Sequence, residues 1–106
     1  MQTDPRRKKS ARKTRPPLPE DVEQQWQNAY RQLGNTQLRA GVRGRFLYVM
    51  HDWEPLCRLS YLGEQDRWEL AVYKYSTGSY GRLDFHPPPA PMADCILAAM
   101  SLYNLV

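Results

Sequence analysis

Between Leu38 and Met50 the chain alternates with a period of two. Leu38, Ala40, Val42, Phe46, Tyr48 and Met50 fall on one side, and Arg39, Arg43 and Arg45 on the other. Successive side chains of a strand point to opposite faces, whereas a helix groups residues three and four apart, so this run specifies β-structure with one packed and one wet face. Gly41 and Gly44 interrupt it and mark a bend, a bulge or a division into two shorter strands. Strand-forming residues recur from Leu56 to Leu62 and from Trp68 to Ser76, with Gly63 to Asp66 as the turn between them. Thr77-Gly78-Ser79 then turns the chain into a short strand from Tyr80 to Phe85. The run His86-Pro87-Pro88-Pro89-Ala90-Pro91 forbids regular pairing, because proline has no N–H to give to a ladder. The expectation is an antiparallel meander of three to four strands.

Helical signals stand at both ends of this meander. From Glu20 to Leu33 the residues Val22, Trp26, Ala29, Tyr30 and Leu33 recur at helical spacing, with acidic Glu20, Asp21 and Glu23 in the first turn and Gly34 just past the end. Met92 to Leu105 is rich in Ala, Leu and Met, and Pro91 is well placed to open it. Its polar Asp94, Ser101 and Asn104 occupy one narrow arc, so most of its circumference must be buried, against the sheet or against another chain. The element order α-β-β-β-(β)-α defines an α+β domain. Its expected core comprises Val22, Trp26, Tyr30, Leu33, Phe46, Tyr48, Leu59, Leu70, Val72, Ile96, Ala99 and Met100. In the third strand Trp68, Leu70 and Val72 are expected to face that core, with Tyr73 and Tyr75 on the opposite side.

Charge divides the 106 residues differently from structure. Arg6, Arg7, Lys8, Lys9, Arg12, Lys13 and Arg15 stand against Asp4 alone. Of 15 basic and 11 acidic residues in the chain, these seven and one leave eight and ten for the remainder, so the net charge of +4 belongs to the N-terminal segment. Residues 1–17, with like charges and no core formers, are expected to form a disordered basic arm ending in the stiff joint Pro16-Pro17, and residues 18–106 a single small domain. Cys57 and Cys95 lie in apolar contexts far apart, which suits buried free thiols and a reducing compartment. No apolar run reaches a membrane span and no secretory or transit pattern opens the chain, so the expected location is intracellular: cytoplasmic or nucleoid, or nuclear in a eukaryote.

No motif of catalysis stands out. His51 and His86 are the two histidines, and no Cys/His/acid spacing matches a metal site, a nucleophile elbow or a phosphate loop. The expectation is a protein without enzymatic activity, cofactor or metal. Its partner is expected to be DNA or RNA, bound without sequence preference and with strong salt sensitivity. The seven arm cations would grip phosphates, while Arg39, Arg43 and Arg45, extended by Arg58, orient the domain. Tyr73 and Tyr75 are candidates for stacking on bases. The plainer accounts are a solubilising or targeting tail, and arginines paired with Glu64, Glu69 or Asp84. The alternative function is that of an assembly subunit, which meets a protein partner or a second copy through its apolar C-terminal helix and aromatic sheet.

The order helix, strands, helix is similar to that of the double-stranded RNA-binding domain, and the resemblance lies in element order. That family binds RNA largely through a basic cluster opening its last helix. Here Pro91-Met92-Ala93-Asp94 stands at that place and no Lys or Arg follows Arg82, so no phosphate-gripping residue is carried over.

Overall fold

A computed structural model describes residues 16–81 and 88–105. Residues 1–15 of the basic arm, with all seven of its cations, and the end of the expected fourth strand lie outside these residues. The order is α1 (Val22–Leu33), β1 (Leu38–Arg43), β2 (Phe46–His51), β3 (Glu54–Tyr61), β4 (Trp68–Lys74), β5 (Ser79–Gly81) and α2 (Met92–Leu102). The strands form one antiparallel sheet in sequence order, β1-β2-β3-β4-β5. The α+β class and the helix-meander-helix order are those the sequence implies. The helix α1 stops where Gly34 adopts φ 67° and returns its N–H to the Tyr30 carbonyl, a conformation that costs glycine little.

The long alternating run is two strands. Its reversal is a two-residue turn, with Gly44 at φ 61°, that makes Arg43 and Phe46 direct partners. Residues paired across a hairpin share a face, so positions 43 and 46, of opposite parity, point the same way and every later side chain changes sides. This corrects the expected core: Phe46, Tyr48 and Met50 stand on the arginine face, and Leu47 and Val49 are buried instead. Arg45 lies in the turn itself, outside the row formed by Arg39 and Arg43. A bulge between Val49 and Met50 then lets Leu56 and Cys57, neighbours in β3, both be buried.

Both helices cover the face carrying Leu38, Leu47, Val49, Cys57, Leu59, Trp68, Leu70 and Val72. The helix α2 packs on β3, β4 and α1 and contributes Met92, Cys95, Ile96, Ala99 and Met100 to the core. Trp26, Tyr30 and Leu33 are half-buried at its border. The Tyr103 hydroxyl, just past α2, donates to the Tyr73 carbonyl. In the proline run, Ala90 is the one residue between Pro87 and Pro91 with an N–H, and it forms an isolated bridge with Trp68: Trp68 N–H to the Ala90 carbonyl at 2.9 Å and Ala90 N–H to the Trp68 carbonyl at 3.2 Å. The prolines thus confine pairing to a single residue and deliver the chain to α2 from the edge of β4.

Cys57 and Cys95 are buried free thiols. Burial raises the Cys57 thiol far above its ordinary range, with Cys95 adding to the effect, and pushes Cys95 up to about 11 against the opposing hydrogen bond to the Ala90 backbone. The folded chain therefore keeps protons that the unfolded chain releases above about pH 9. The stability tied to these thiols is complete below that value and falls as pH rises, up to about 11 for Cys95 and beyond it for Cys57; Tyr75 and Tyr80, also raised by burial, act in the same direction. The urea midpoint is expected to fall steadily above pH 9, and to fall less in Cys95→Ala. A midpoint independent of pH between 8 and 11 would contradict this assignment.

Candidate nucleic-acid interface

The face of the sheet opposite the helices is bare among the described residues. Register places Arg39 and Arg43 of β1, Phe46, Tyr48 and Met50 of β2, Arg58 of β3, Glu69, Ala71 and Tyr73 of β4, and Tyr80 of β5 on it. The small Gly41 and Ala71 share the row of Tyr48 and Arg58, which leaves room for rings to lie over the sheet. The Arg58 guanidinium stands 4.2 Å from the Phe46 ring centre and 5.2 Å from that of Tyr80, and Arg43 stands 5.6 Å from Tyr48. Tyr80 meets Tyr48 at 5.4 Å and Tyr73 at 5.1 Å, both edge to face. The Arg58 Nε is buried without a hydrogen-bond partner, so the aromatic faces on either side supply its electrostatic contact.

Apart from Glu69 on this face and Asp52 and Glu54 at the β2–β3 turn, the acidic charge of the described residues gathers elsewhere. Glu20, Asp21 and Glu23 open α1 or precede it, Asp94 is in the first turn of α2, and Glu64 and Asp66 lie in the β3–β4 connection. Glu64 pairs with Arg67 at 3.5 Å rather than with an arginine of the open face. That face carries Arg39, Arg43 and Arg58 against Glu69, so a mildly acidic domain presents one arginine-bearing surface. By contrast, the groove between α1 and the β1 edge, bordered by Val22, Glu23, Trp26, Ala40 and Val42, has no cation in its lining.

The expected site residues separate into three sets. The arm residues lie outside the described structure. Arg39, Arg43 and Arg58 come together on the open face, with Arg45 exposed at its end. Tyr73 is on the side away from the core, opposite buried Trp68, Leu70 and Val72, whereas Tyr75 lies just past β4, its ring edge to face with Tyr73 at 4.8 Å and with Tyr103 at 6.1 Å and its hydroxyl donating to the Pro55 carbonyl at 2.6 Å. In the sequence Trp53 counts among the flat side chains available for stacking, but Tyr73 and Tyr75 are the candidates it singles out. Trp53 is 68% exposed in the β2–β3 turn, with the Arg39 guanidinium 4.9 Å from its ring centre. Asp-Trp is not a turn-forming pair, so the signal for it was weak.

Among the described residues no group of three His, Cys, Asp or Glu is arranged to hold a metal, and no helix is long and apolar enough to cross a membrane. No protein-family model, curated protein or solved structure matches the chain.

Proposed function

We propose that this protein is a non-enzymatic, nucleic-acid-associated domain. Its open sheet face orients it on the polyanion, and the arm adds a grip on phosphates that does not depend on sequence. The observation that carries this reading is the meeting of Arg39, Arg43 and Arg58 with Phe46, Tyr48 and Tyr80 on the face free of helices. Guanidinium groups suit phosphate oxygens, and a surface joining cations to flat rings suits the two chemistries of a nucleic acid, its backbone and its bases. The alternative role, assembly through α2, is supported by exposed Leu97 and Leu102, while the buried apolar residues of that helix serve the domain's own core.

Arg39→Ala/Arg43→Ala in the full chain is expected to weaken binding of a fluorescent oligonucleotide by at least about tenfold at 50 mM salt, and to lower the slope of log K against log salt by about 1.4 for a single strand. Arg31→Ala, on α1, removes one charge from the other side of the molecule and is expected to leave affinity within about twofold. Equal effects of the two sets, charge for charge, would show that net charge rather than the open face governs binding.

A further inference from the structure

We propose that the tip of the β2–β3 hairpin is a stacking site for an unpaired nucleobase, with Trp53 as its platform and Arg39 as its brace. This rests on the nucleic-acid reading above and narrows it to single strands. Among the exposed large apolar side chains Trp53 is the most open, at 68%. It sits in a two-residue turn closed by His51 and Glu54, with Asp52 at φ 53° and Trp53 at φ 69°. Both angles belong to the left-handed region that such turns reserve for Asn and Gly, and a side chain as bulky as Trp is strained there. The Asp52 N–H donates to the Gln37 carbonyl at 2.9 Å, which ties the tip to the start of β1. A costly backbone conformation that holds a large ring in solvent is a mark of function rather than of packing.

The ring is prepared on one side only. Arg39 donates from one terminal nitrogen to the carbonyls of Thr36 at 3.2 Å and Leu38 at 3.3 Å, and its guanidinium carbon lies 4.9 Å from the Trp53 ring centre. Two backbone carbonyls thus fix the cation against one indole face, and no carboxylate among the described residues pairs with it. Against the other face no described ring is packed, whereas Tyr73 and Tyr75 already engage each other. A base laid on the free face completes a stack of guanidinium, indole and base, with Arg39 near the attached phosphate. Arg43 follows roughly 13 Å further along β1 on the same face, in line to meet the next part of the backbone. Asp52 and Glu54, exposed beside Trp53 in the chain, repel phosphate, which favours a backbone path along Arg39 and Arg43. Bases inside a duplex have both faces covered by their neighbours, so they cannot enter this stack; a free base of a single strand can.

The test titrates the full chain with a single-stranded oligothymidylate and with a blunt duplex of equal charge, reading tryptophan emission and oligonucleotide anisotropy. The single strand is expected to quench the solvent-exposed emission of Trp53, and the duplex to leave it unchanged. Trp53→Ala is expected to lose that quench and to bind the single strand roughly tenfold more weakly, with duplex affinity within twofold. Trp53→Asn supplies a residue the turn prefers, so its thermal midpoint is expected to rise by a few degrees while its single-strand affinity falls as in the Ala variant. A purely structural Trp53 would not separate stability from binding in this way. Single-strand binding with unaltered Trp53 emission, an equal quench by duplex, or unchanged affinity in both variants overturns this site and leaves the broader reading standing. Absence of binding to either oligonucleotide at low salt overturns both, and a protein ligand that alone quenches Trp53 overturns the site in favour of protein recognition.

Discussion

Trp68→Ala is expected to lower the thermal midpoint by about 20 °C or more, the largest loss of stability from any single truncation in the domain. Trp68 is fully buried at the start of β4, paired through its backbone with Tyr61 on one side and Ala90 on the other, with the Tyr61 ring 5.2 Å away and the Cys95 thiol on its carbonyl. Sheet, proline run and α2 therefore meet at one side chain. Truncating a buried Trp to Ala costs about 3–5 kcal/mol. A domain of this size has roughly 4–13 kcal/mol in total, and each kcal/mol moves its midpoint by about 4–8 °C. The indole Nε1 is buried without a hydrogen-bond partner, so Trp68→Phe removes an unsatisfied donor together with part of the volume. Its midpoint is expected to fall by less than half as much, as read by circular dichroism. Equal losses in the two variants would contradict an account in which packing volume, and not the indole N–H, is what Trp68 contributes.

Removal of residues 1–15 is expected to have the largest effect on binding. If the arm's seven cations and the three arginines of the open face each neutralise one phosphate, the full chain loses affinity for a single strand by on the order of 10⁴-fold between 50 and 200 mM salt. The chain beginning at Pro16 retains only the arginines of the face, and over the same range it is expected to lose roughly twentyfold. The two slopes, measured by anisotropy at several salt concentrations, divide binding into a part from the arm and a part from the folded domain. Identical slopes would show that the arm does not contact phosphate.

Those parts were unequally legible in the sequence. The helix α1 could be read because its apolar spacing, acidic start and Gly34 stop agree, and β4 because Trp68, Leu70 and Val72 alternate cleanly with Tyr73 and its neighbours. The faces of β2 could not. Phe46, Tyr48 and Met50 are as apolar as Leu47 and Val49, so hydrophobicity does not distinguish the sides, and the inversion of parity hangs on the turn at Gly44 alone. Once inverted, the same residues change role from expected core to aromatic floor of the arginine face. Arg58 was legible as a neighbour of Arg39 and Arg43, but its position between Phe46 and Tyr80 follows from that inversion and from a strand two positions further on in the chain order. Trp53 could be read as one flat side chain among several but not as the exposed tip of a turn, because its conformation opposes local preference, and residues held against their preference leave no ordinary pattern to read.

The central claim is that the folded domain, and not only its arm, meets nucleic acid through the open sheet face. The affinity of the chain beginning at Pro16 for a labelled single-stranded oligonucleotide at about 20 mM salt tests it most directly. Binding is expected to persist, with a salt slope near 2 for three arginine contacts, and to be abolished by Arg39→Glu/Arg43→Glu. Loss of all binding once the arm is removed, or residual binding indifferent to those two substitutions, would contradict it.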